Sequence, residues 1–257
     1  MGSKVQIDLS GKIALVTGAA GELGRAISRT LARAGADVAV HYHQSKDKAE
    51  ALASEIKGMG VRSMAIQADV TNIDSIMKMK QAVESALGAP NIIVNNAVSQ
   101  YPWKSVLEQP AEDYESQFRT CVLHNVFMAK AFVPAMIQKR WGRVIATNTE
   151  CAMQNFPGQS AYVAGKRGMD GVIRILAKEI GEYQITVNEV APGWMISDRD
   201  RKNKSEKQEG YDKNVPLKHR GTDQDVANAV AFLASDLAAF ITGAYIPVCG
   251  GNVMPTI

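Results

Sequence analysis

Apolar residues recur along the chain with two alternating periods. Short runs rich in valine, isoleucine and alanine, such as residues 12–18 and 91–97, have the length and composition of buried strands. Longer stretches such as residues 24–35 carry apolar residues three and four positions apart, which is typical of an amphipathic helix. Because these two kinds of segment alternate, the pattern predicts an α/β fold with a mostly parallel sheet and helices on both of its faces.

The same pattern locates the individual elements. The predicted strands cover residues 12–18, 36–42, 62–70, 91–97, 143–147, 185–190 and 244–248. The predicted helices cover residues 24–35, 46–60, 71–88, 111–139, 160–180 and 222–235. Thr71 and Asp74 have the spacing of a capping box, which predicts that the third helix begins at Thr71. No linker-like change in composition divides the chain, so we predict one domain over residues 1–257.

One polar segment interrupts the alternation. Residues 197–215 are rich in charged side chains and have no apolar period. Two interpretations are open: the segment is a solvated surface loop, or it is part of a mobile lid that covers a binding site. The lid would span about residues 194–215.

Composition narrows the class of protein. The chain has 29 basic and 26 acidic side chains, and this small excess of +3 does not indicate a nucleic-acid partner. Three widely spaced cysteines indicate neither a disulfide framework nor a metal site. The N-terminus lacks the apolar run of a signal peptide, and the apolar stretch 227–248 is interrupted by Asp236 and Pro247. We therefore expect a cytoplasmic protein without a membrane span.

Three glycines follow the first predicted strand. Gly18, Gly21 and Gly24 lie three residues apart at the start of the first predicted helix. Glycines there let the backbone approach a pyrophosphate, whose oxygens the free N–H groups of the helix start can bind. The alternative is a tight connection without a ligand. Asp69, at the end of the third predicted strand, either accepts a hydrogen bond from an adenine amino group or merely caps the next helix.

A tyrosine and a lysine stand one helical turn apart. Tyr162 and Lys166 are separated by four residues, so they share one helix face. An ammonium near a phenol favours the phenolate and lowers the pKa of the tyrosine. Such a tyrosine can exchange a proton with a carbonyl or an alcohol. The pair alone is weak evidence, since this spacing is common on solvated helices.

Six motifs in this order and spacing give the chain its resemblance to a family. They are TGAAGELG (17–24), ADVT (68–71), NNA (95–97), YVAGK (162–166), VNEVAPG (187–193) and ITGAYIPVCGG (241–251). Together they resemble the short-chain dehydrogenase/reductase family, in its single-domain form with a Tyr-x-x-x-Lys pair, over residues 8–252. The chain looks most similar to 3-oxoacyl-carrier-protein reductases, which share these motifs with many sugar, polyol and ketone reductases.

The resemblance implies a fold, a reaction and a set of site residues. It implies a Rossmann-like, doubly wound parallel sheet of about seven strands and an assembly of four, or two, identical chains. Tyr162 would act as acid and base, Lys166 would bind the nicotinamide ribose, and Thr149 would hydrogen-bond the substrate carbonyl. Asn95 would shape the pocket behind the fourth strand. The implied cofactor-binding residues are Gly18, Gly21, Leu23, His43, Asp69, Val70, Asn96, Tyr162, Lys166, Pro192 and Gly193.

Four positions depart from the family pattern. Thr149 stands where a serine is usual, thirteen residues before Tyr162, and it keeps the hydroxyl. Val98 replaces a glycine and is expected to crowd the cofactor ribose or the substrate entrance. Glu22 replaces a glycine of the turn; we expect its side chain to point sideways to solvent, weakening cofactor binding without abolishing it.

The fourth departure concerns proton supply. Cys121 stands where the family often has an asparagine that helps hold a water linking the lysine to bulk solvent. A thiol is a weak hydrogen-bonding group, so this relay is in doubt. Asn125 or His124, about one turn further on, are candidate substitutes, and helix geometry favours Asn125.

The second strand bears on cofactor choice. A site specific for NAD usually has an acidic residue at the end of this strand, and none stands here. His43, Ser45 and Lys46 are instead suited to a 2′-phosphate, so we favour NADP(H) over NAD(H), although ordinary exposed loop residues would have the same pattern.

The substrate pocket is predicted from the segments that line it in the family. The expected lining residues are Gln100, Trp103, Gln154, Phe156 and Trp194. Amide and aromatic side chains suit a medium-sized ketone or a cyclic or sugar-like alcohol. We predict an NAD(P)(H)-dependent oxidoreductase that interconverts a carbonyl and a secondary alcohol. The alternative is a catalytically degenerate member that works as a dinucleotide-sensing or oligomeric binding protein.

Overall fold

Seven parallel strands form one sheet within residues 5–255, the part of the chain that the computed structural model describes. The strands are β1 (Ile13–Val16), β2 (Asp37–Tyr42), β3 (Ser63–Gln67), β4 (Ile92–Asn95), β5 (Gly142–Thr147), β6 (Ile185–Pro192) and β7 (Tyr245–Val248). Their order across the sheet is β3-β2-β1-β4-β5-β6-β7, and every neighbouring pair is parallel. The predicted fold class and strand number are confirmed.

Helices cover both faces of the sheet. They are α1 (Glu22–Arg33), α2 (Lys46–Lys57), α3 (Ile73–Ala86), α4 (Ala111–Gln117), α5 (His124–Lys139), α6 (Cys151–Gln154), α7 (Ser160–Ile180), α8 (Asp198–Asn203), α9 (Glu209–Asp212) and α10 (Asp223–Ala234). A π-helical segment, Phe118–Leu123, joins α4 to α5 without a break. The strands in the middle of the sheet are buried on both faces, which explains their continuous apolar runs.

Two hydrophobic cores lie on opposite faces of the sheet. One is built from α1, α2 and α10, with Ile27 and Leu31 of α1 among its fully buried side chains. The other is built from α3, α5 and α7, with Met79 of α3 and Phe132 of α5 at its centre. Burial of a side chain of this size contributes about 1.5–3 kcal/mol, so these two layers fix the sheet between the helices.

The chain reverses its direction of travel across the sheet at β1. From β1 it proceeds outward to β2 and β3, then returns to β4 on the other side of β1. The connections that leave the carboxyl ends of β1 and β4 therefore diverge and leave a crevice between them. In an open parallel sheet this is where ligands bind.

The third helix begins later than predicted. Its N-cap is Asn72, whose side-chain oxygen accepts hydrogen bonds from the backbone N–H groups of Asp74 and Ser75. Thr71 instead donates its hydroxyl to Asp69 at 2.7 Å. The predicted capping box from Thr71 is therefore wrong, because the threonine hydroxyl is used in the turn before the helix.

The helix Ala111–Lys139 is long and apolar enough to cross a membrane by length and composition alone. Within the fold, 56% of its most apolar window is buried. Its side chains Met128 and Phe132 belong to the core under the sheet. This is the arrangement of a core helix.

The polar segment 197–215 contains two short helices that the apolar pattern did not predict. Ser197 and Asp200 form a capping box at the start of α8, and the buried Arg220 donates to Asp200 at 2.8 Å. Helix α9 follows after a short turn. Charged hydrogen bonds, and not an apolar face, hold α8 in place, which is why its helical period is invisible in the sequence.

Candidate active site

A cleft of about 970 Å³ follows the carboxyl ends of the strands. It begins at the turn between β1 and α1 and ends beside β6. All eleven side chains or backbone positions predicted to bind the cofactor line it: Gly18, Gly21, Leu23, His43, Asp69, Val70, Asn96, Tyr162, Lys166, Pro192 and Gly193. Thr149 and Gln100 line the same cleft. The fold thus brings the predicted residues together, while their roles stay predictions.

The glycine turn has the shape that a pyrophosphate needs. Gly18 has a φ of +62°, and a Cβ atom there would lie 3.0 Å from the Cα of Ala97. A Cβ atom on Gly24 would lie 2.7 Å from the Cα of Ala19. Gly21 is the N-cap of α1 and provides no side-chain cap, so the N–H groups of the first turn remain available. A backbone cradle at a helix start suits the phosphates of a dinucleotide.

A buried histidine under this turn was missed by the sequence analysis. His41 of β2 is 1% exposed, and its Nδ1 accepts a hydrogen bond from the N–H of Gly18 at 3.0 Å. Its Nε2 therefore carries the proton and donates to the carbonyl of Ala68 at 3.1 Å. Burial lowers the pKa of His41 to about 4, so the ring is neutral at neutral pH. The only signal in the sequence is a polar residue inside an apolar strand.

Asp69 fulfils part of both interpretations given to it. Its carboxylate accepts hydrogen bonds from the N–H and the hydroxyl of Thr71, at 2.8 and 2.7 Å, and it also lines the cleft. Burial opposes ionisation, but these hydrogen bonds hold the pKa of Asp69 below its ordinary value. The turn thus presents an acceptor at the end of β3.

The tyrosine and the lysine lie on the same face of α7, over the cleft. Lys166 is buried, and its Nζ donates to the carbonyl of Thr147 at 2.5 Å. The same Nζ lies 5.7 Å from the centre of the Tyr162 ring. Burial raises the pKa of Tyr162, while a hydrogen bond with the Thr149 side chain opposes the rise. Burial is the largest influence on the pKa of Tyr162, and the predicted lowering of this pKa by the Lys166 ammonium stays a prediction.

A second cavity of about 580 Å³ opens beside Tyr162. All five predicted substrate residues line it: Gln100, Trp103, Gln154, Phe156 and Trp194. The ring of Trp103 stacks on that of Tyr162, with centroids 6.2 Å apart and planes inclined by 25°. An aromatic side chain thus lies against the Tyr162 ring where the second cavity opens.

Comparison with known proteins identifies the family. A family model described as enoyl-(acyl carrier protein) reductase matches residues 18–252. The 3-oxoacyl-(acyl-carrier-protein) reductase FabG of Staphylococcus epidermidis is 39% identical over 243 residues, covering 95% of this chain and 99% of that protein. Its namesake from Pseudomonas aeruginosa is 36% identical over 249 residues, covering 96% and 100%. The chain belongs to the short-chain dehydrogenase/reductase family. It is therefore an NAD(P)-dependent oxidoreductase that acts on a carbonyl group.

A solved structure agrees with this assignment to the family. A protein described as a short-chain alcohol dehydrogenase from Sinorhizobium meliloti 1021 matches with a TM-score of 0.86 at 29% identity, covering 96% of this chain and 98% of that one. The comparisons give no support to the alternative of a degenerate binding protein. The four residues that depart from the usual pattern of this family each have defined surroundings in the structure.

Glu22, which replaces a family glycine, contacts the lid segment (residues 194–215). The side chain is exposed, as expected, and its Oε2 accepts a hydrogen bond from the N–H of Asp198, the first residue of α8, at 3.0 Å. Arg25 forms an ion pair with the carboxylate of the same residue. The acid of the glycine turn is thus committed to α8, which ties this turn to the lid segment.

Thr149 is held firmly in place of the family serine. Its N–H donates to the Oδ1 of Asn148 at 2.9 Å, and its carbonyl accepts the hydroxyl of Tyr245 at 2.5 Å. Its own hydroxyl accepts a hydrogen bond from the N–H of Cys151 at 3.2 Å and lines the same cleft as Tyr162. Val98, in place of a glycine, lines the cleft and packs against the core under the sheet.

Hydrogen bonds around Cys121 use both polar groups of Asn125 but leave the Oδ1 of Asn95 and the Nε2 of His124 without a partner among residues 5–255. The Cys121 thiol donates to the side-chain oxygen of Gln117 at 3.7 Å. The Asn125 amide donates to the carbonyl of Cys121 at 2.7 Å and accepts from Asn95 at 2.7 Å. Both polar ends of Asn125 are thus used within the protein. His124 donates from Nδ1 to the carbonyl of Thr120 at 3.2 Å and is completely buried.

A buried acid beside Thr149 was also missed. Glu150 is 3% exposed, and its two oxygens accept from the hydroxyl of Tyr211 at 2.8 Å and from the amide of Asn252 at 3.0 Å. Burial raises the pKa of Glu150 against these hydrogen bonds. Tyr211 belongs to α9, and a Cβ atom on Gly193 would lie 2.6 Å from its hydroxyl. The second end of the lid segment is therefore fastened, through Tyr211, to Glu150 at the start of α6.

Proposed function

We propose that the chain is a reversible, NADP(H)-dependent carbonyl reductase in which Tyr162 exchanges the proton. The observation that carries the proposal is that Thr149, Tyr162 and Lys166 line one cleft, with the Lys166 Nζ 5.7 Å from the centre of the Tyr162 ring. Both hydroxyls can hydrogen-bond one carbonyl oxygen. The dinucleotide, when bound, supplies or accepts the hydride.

Each of these residues has a separate role in reduction. Thr149 and Tyr162 polarise the carbonyl, and the Tyr162 hydroxyl donates its proton to the oxygen as negative charge develops there. Lys166 places its charge next to the phenol and favours the phenolate that results. The Trp103 ring, stacked on Tyr162, excludes water from that side. In oxidation the same groups work in reverse.

The decisive experiment is Tyr162→Phe. General acid–base groups typically contribute 10²–10⁴-fold, so we expect kcat for ketone reduction to fall by about 10³-fold while the Kd for NADPH, measured by nicotinamide fluorescence, changes less than about twofold. Tyr183→Phe, outside the cleft, is the matched control and should behave as the wild type. Full turnover by Tyr162→Phe would contradict the assigned role.

The preference for NADP(H) rests on the end of β2. His43, Ser45 and Lys46 are exposed there, and the Ser45 side chain does not cap α2 although it occupies the N-cap position. A 2′-phosphate would find a hydroxyl, a cation and a helix start together. We expect kcat/KM to favour NADPH over NADH by about tenfold or more, and Lys46→Glu to reduce that ratio, a cost of about 1.4 kcal/mol for each tenfold loss.

The substrate class follows from the amide and aromatic lining of the second cavity. It supports a medium-sized ketone or a cyclic or sugar-like alcohol. The printed names of the FabG relatives add 3-oxoacyl thioesters to the substrates worth testing. A panel of both kinds, assayed by NADPH oxidation, decides between them through kcat/KM.

Several further proposals concern the whole chain. We propose one domain over residues 1–257, with residues 194–215 as a lid, working in the cytoplasm as a homotetramer or homodimer. Support for the oligomer comes from large apolar side chains left exposed on the long helices, Phe118 at 51% and Ile175 at 60%. Light scattering of the purified protein measures the number of chains directly.

A further inference from the structure

A completely buried arginine follows the lid segment in the chain. Arg220 lies in the connection between α9 and α10, and none of its side chain is exposed. The N–H of Ile196 donates to the carbonyl of Gly221 at 2.9 Å, so this connection runs beside the first residues of the lid segment. A guanidinium keeps its charge in proteins, so a buried one needs acceptors for its N–H groups.

Among residues 5–255, the acceptors of the Arg220 side chain all belong to the lid segment. Its Nε donates to the carbonyl of Trp194 at 3.0 Å. Its Nη2 donates to the carbonyl of Met195 at 2.6 Å and to the carboxylate of Asp200 at 2.8 Å. Its Nη1 donates to the carbonyl of Glu206 at 3.3 Å. These groups stand before α8, within it and after it, so one side chain ties three parts of the lid segment together.

The same guanidinium lies over an aromatic side chain of the substrate cavity. Its central carbon is 4.6 Å from the centre of the Trp194 ring, and Trp194 lines the second cavity beside Tyr162. The Tyr211 ring meets the Trp194 ring edge-on, with centroids 5.6 Å apart. A cation over an indole is attracted by the negative face of the ring. Arg220 therefore holds Trp194 both by its backbone carbonyl and by its ring.

The ion pair at the start of α8 is weaker, because it is open to solvent. Asp198 is half exposed, and it pairs with Arg25. Water replaces the partner when such a pair breaks, so exposed pairs contribute little to stability. Arg220 is shielded from water, so its loss would leave the Asp200 carboxylate and three backbone carbonyls without their donor. The order of the lid segment therefore depends more on Arg220 than on this exposed pair.

We propose that Arg220 is a positioning residue that holds the lid segment closed and fixes Trp194 against the substrate cavity. Arg220 lines neither of the two cavities described above, so it acts on substrate binding through Trp194. The proposal rests on the proposed function, since it takes the second cavity to be the ketone site. Lysine cannot take this role, because an ammonium lacks both the planar fork of donors and the flat face of a guanidinium.

Kinetics separate this role from a part in the chemistry. Arg220→Lys keeps the charge and removes the fork, so KM for ketone should rise about tenfold. Because Tyr162 and Thr149 are untouched, kcat should stay within about threefold of wild type. Arg199→Lys is the matched control: it makes the same change at an exposed arginine of α8 and should behave as the wild type. A lower kcat with an unchanged KM would overturn the proposal.

A double-mutant cycle shows whether Arg220 acts through Trp194. In the Trp194→Ala background the side chain that Arg220 positions is gone. The effect of Arg220→Lys on KM for ketone should therefore shrink to less than about twofold. A tenfold effect that persists in this background would overturn the proposal, since the arginine would then support the cavity by another route.

A milder variant covers the case in which Arg220→Lys does not fold. Asp200→Asn leaves the guanidinium and its three carbonyl contacts in place and removes only the charge that faces it. A charged partner strengthens a buried hydrogen bond, so its loss should raise KM for ketone about threefold with kcat unchanged. A wild-type KM in Asp200→Asn would overturn the proposal.

Limited trypsin digestion of the cofactor-free protein tests the lid segment without any need for turnover. The segment contains six lysines and arginines, and both Arg220→Lys and Arg199→Lys keep every cleavage site. Cleavage within residues 198–213, mapped by mass spectrometry, should be about tenfold faster in Arg220→Lys than in the wild type or in Arg199→Lys, because proteolysis follows local opening. In Asp200→Asn it should be about threefold faster.

The outcomes of digestion and kinetics are distinguishable. Cleavage of Arg220→Lys at the wild-type rate would overturn the proposal whether or not the enzyme turns over. Faster cleavage with an unchanged KM for ketone would overturn the link between Arg220 and substrate binding. Faster cleavage of Arg220→Lys, with a wild type that reduces no ketone, would support the hold of Arg220 on the lid segment and contradict the proposed function instead.

Discussion

His41 and Glu189 are both titratable, both about 1% exposed, and both stand on strands that border the active site. They differ in their hydrogen bonds. Both ring nitrogens of His41 have partners, the N–H of Gly18 and the carbonyl of Ala68. Glu189 has one oxygen that accepts from Asn148 and one buried oxygen without a hydrogen-bond donor among residues 5–255. At equal burial, therefore, every polar atom of the His41 side chain is paired, whereas one oxygen of Glu189 is not.

The direction of each pKa shift reinforces the difference. Burial favours the neutral form of both groups, so it lowers the pKa of His41 to about 4 and raises that of Glu189 to about 8. At neutral pH the histidine is far from its titration and the carboxyl is close to its own. Near neutral pH, therefore, His41 keeps one charge state, whereas the charge of Glu189 depends on the pH.

Acid should destabilise the fold through its buried histidines, and this is the largest effect we expect. His41 and His124 both have lowered pKa values, about 4 and about 3, because burial penalises their charged forms. The unfolded chain binds protons below its histidine pKa of about 6.5, so stability is complete above that pH and is lost as the pH falls toward the folded values. At about pH 5 each histidine costs about 2 kcal/mol.

Urea unfolding at about pH 7 and about pH 5 measures this loss. His41→Asn should reduce the difference in unfolding free energy between these two pH values by roughly the contribution of one histidine. His219→Gln, at an exposed histidine, should leave that difference unchanged. Equal pH dependence in wild type and His41→Asn would show that His41 is charged or solvated in the folded protein.

Removal of the His41 side chain should give the next largest effect. His41→Ala leaves a cavity, an unpaired N–H on Gly18 and an unpaired carbonyl on Ala68, which together should cost about 3 kcal/mol of stability. The loosened turn should also raise the Kd for NADPH about tenfold. His43→Ala is the matched control. Because His43 is exposed, its removal should weaken NADPH binding without changing the melting temperature.

The same two residues show how far sequence could predict the site. Gly18, Tyr162 and Lys166 were found because their chemistry depends on spacing within one element. His41 and Glu189 were missed because each lies in a strand otherwise typical of the core. Their partners come from other parts of the sheet, Ala68 just after β3 and Asn148 just after β5. Sequence patterns predict contacts within one helix or strand. They do not predict which groups two separate elements bring together.

The lid segment shows the same limit. A polar run without an apolar period predicted a loop, whereas the structure has α8 and α9, held by Glu22 and Arg25 at one end and by Glu150 at the other. The fold class was predictable because burial of whole strands and helix faces leaves a period in the sequence. Short helices fastened by charges leave none.

Glu150 sharpens the comparison, since it is a buried carboxyl whose two oxygens both have donors. It should therefore behave as His41 does and hold geometry without exchanging a proton during turnover. Tyr211→Phe removes one donor, costs about 1 kcal/mol and should raise KM for ketone about fivefold through a looser lid, with the pH profile of kcat unchanged. A shifted pH profile in this variant would show that Glu150 exchanges a proton during turnover.

The smallest effect is expected at the acid of the glycine turn. Glu22 makes the same kind of contact as the buried groups, an oxygen accepting the N–H of Asp198, but it does so in solvent. Water replaces the lost partner when the contact breaks, so Glu22→Ala should change stability by no more than about 0.5 kcal/mol. The Kd for NADPH should change less than about threefold. A large gain in affinity would mean that the carboxylate faces the pyrophosphate. An exposed charge in this turn would then still weaken NADPH binding.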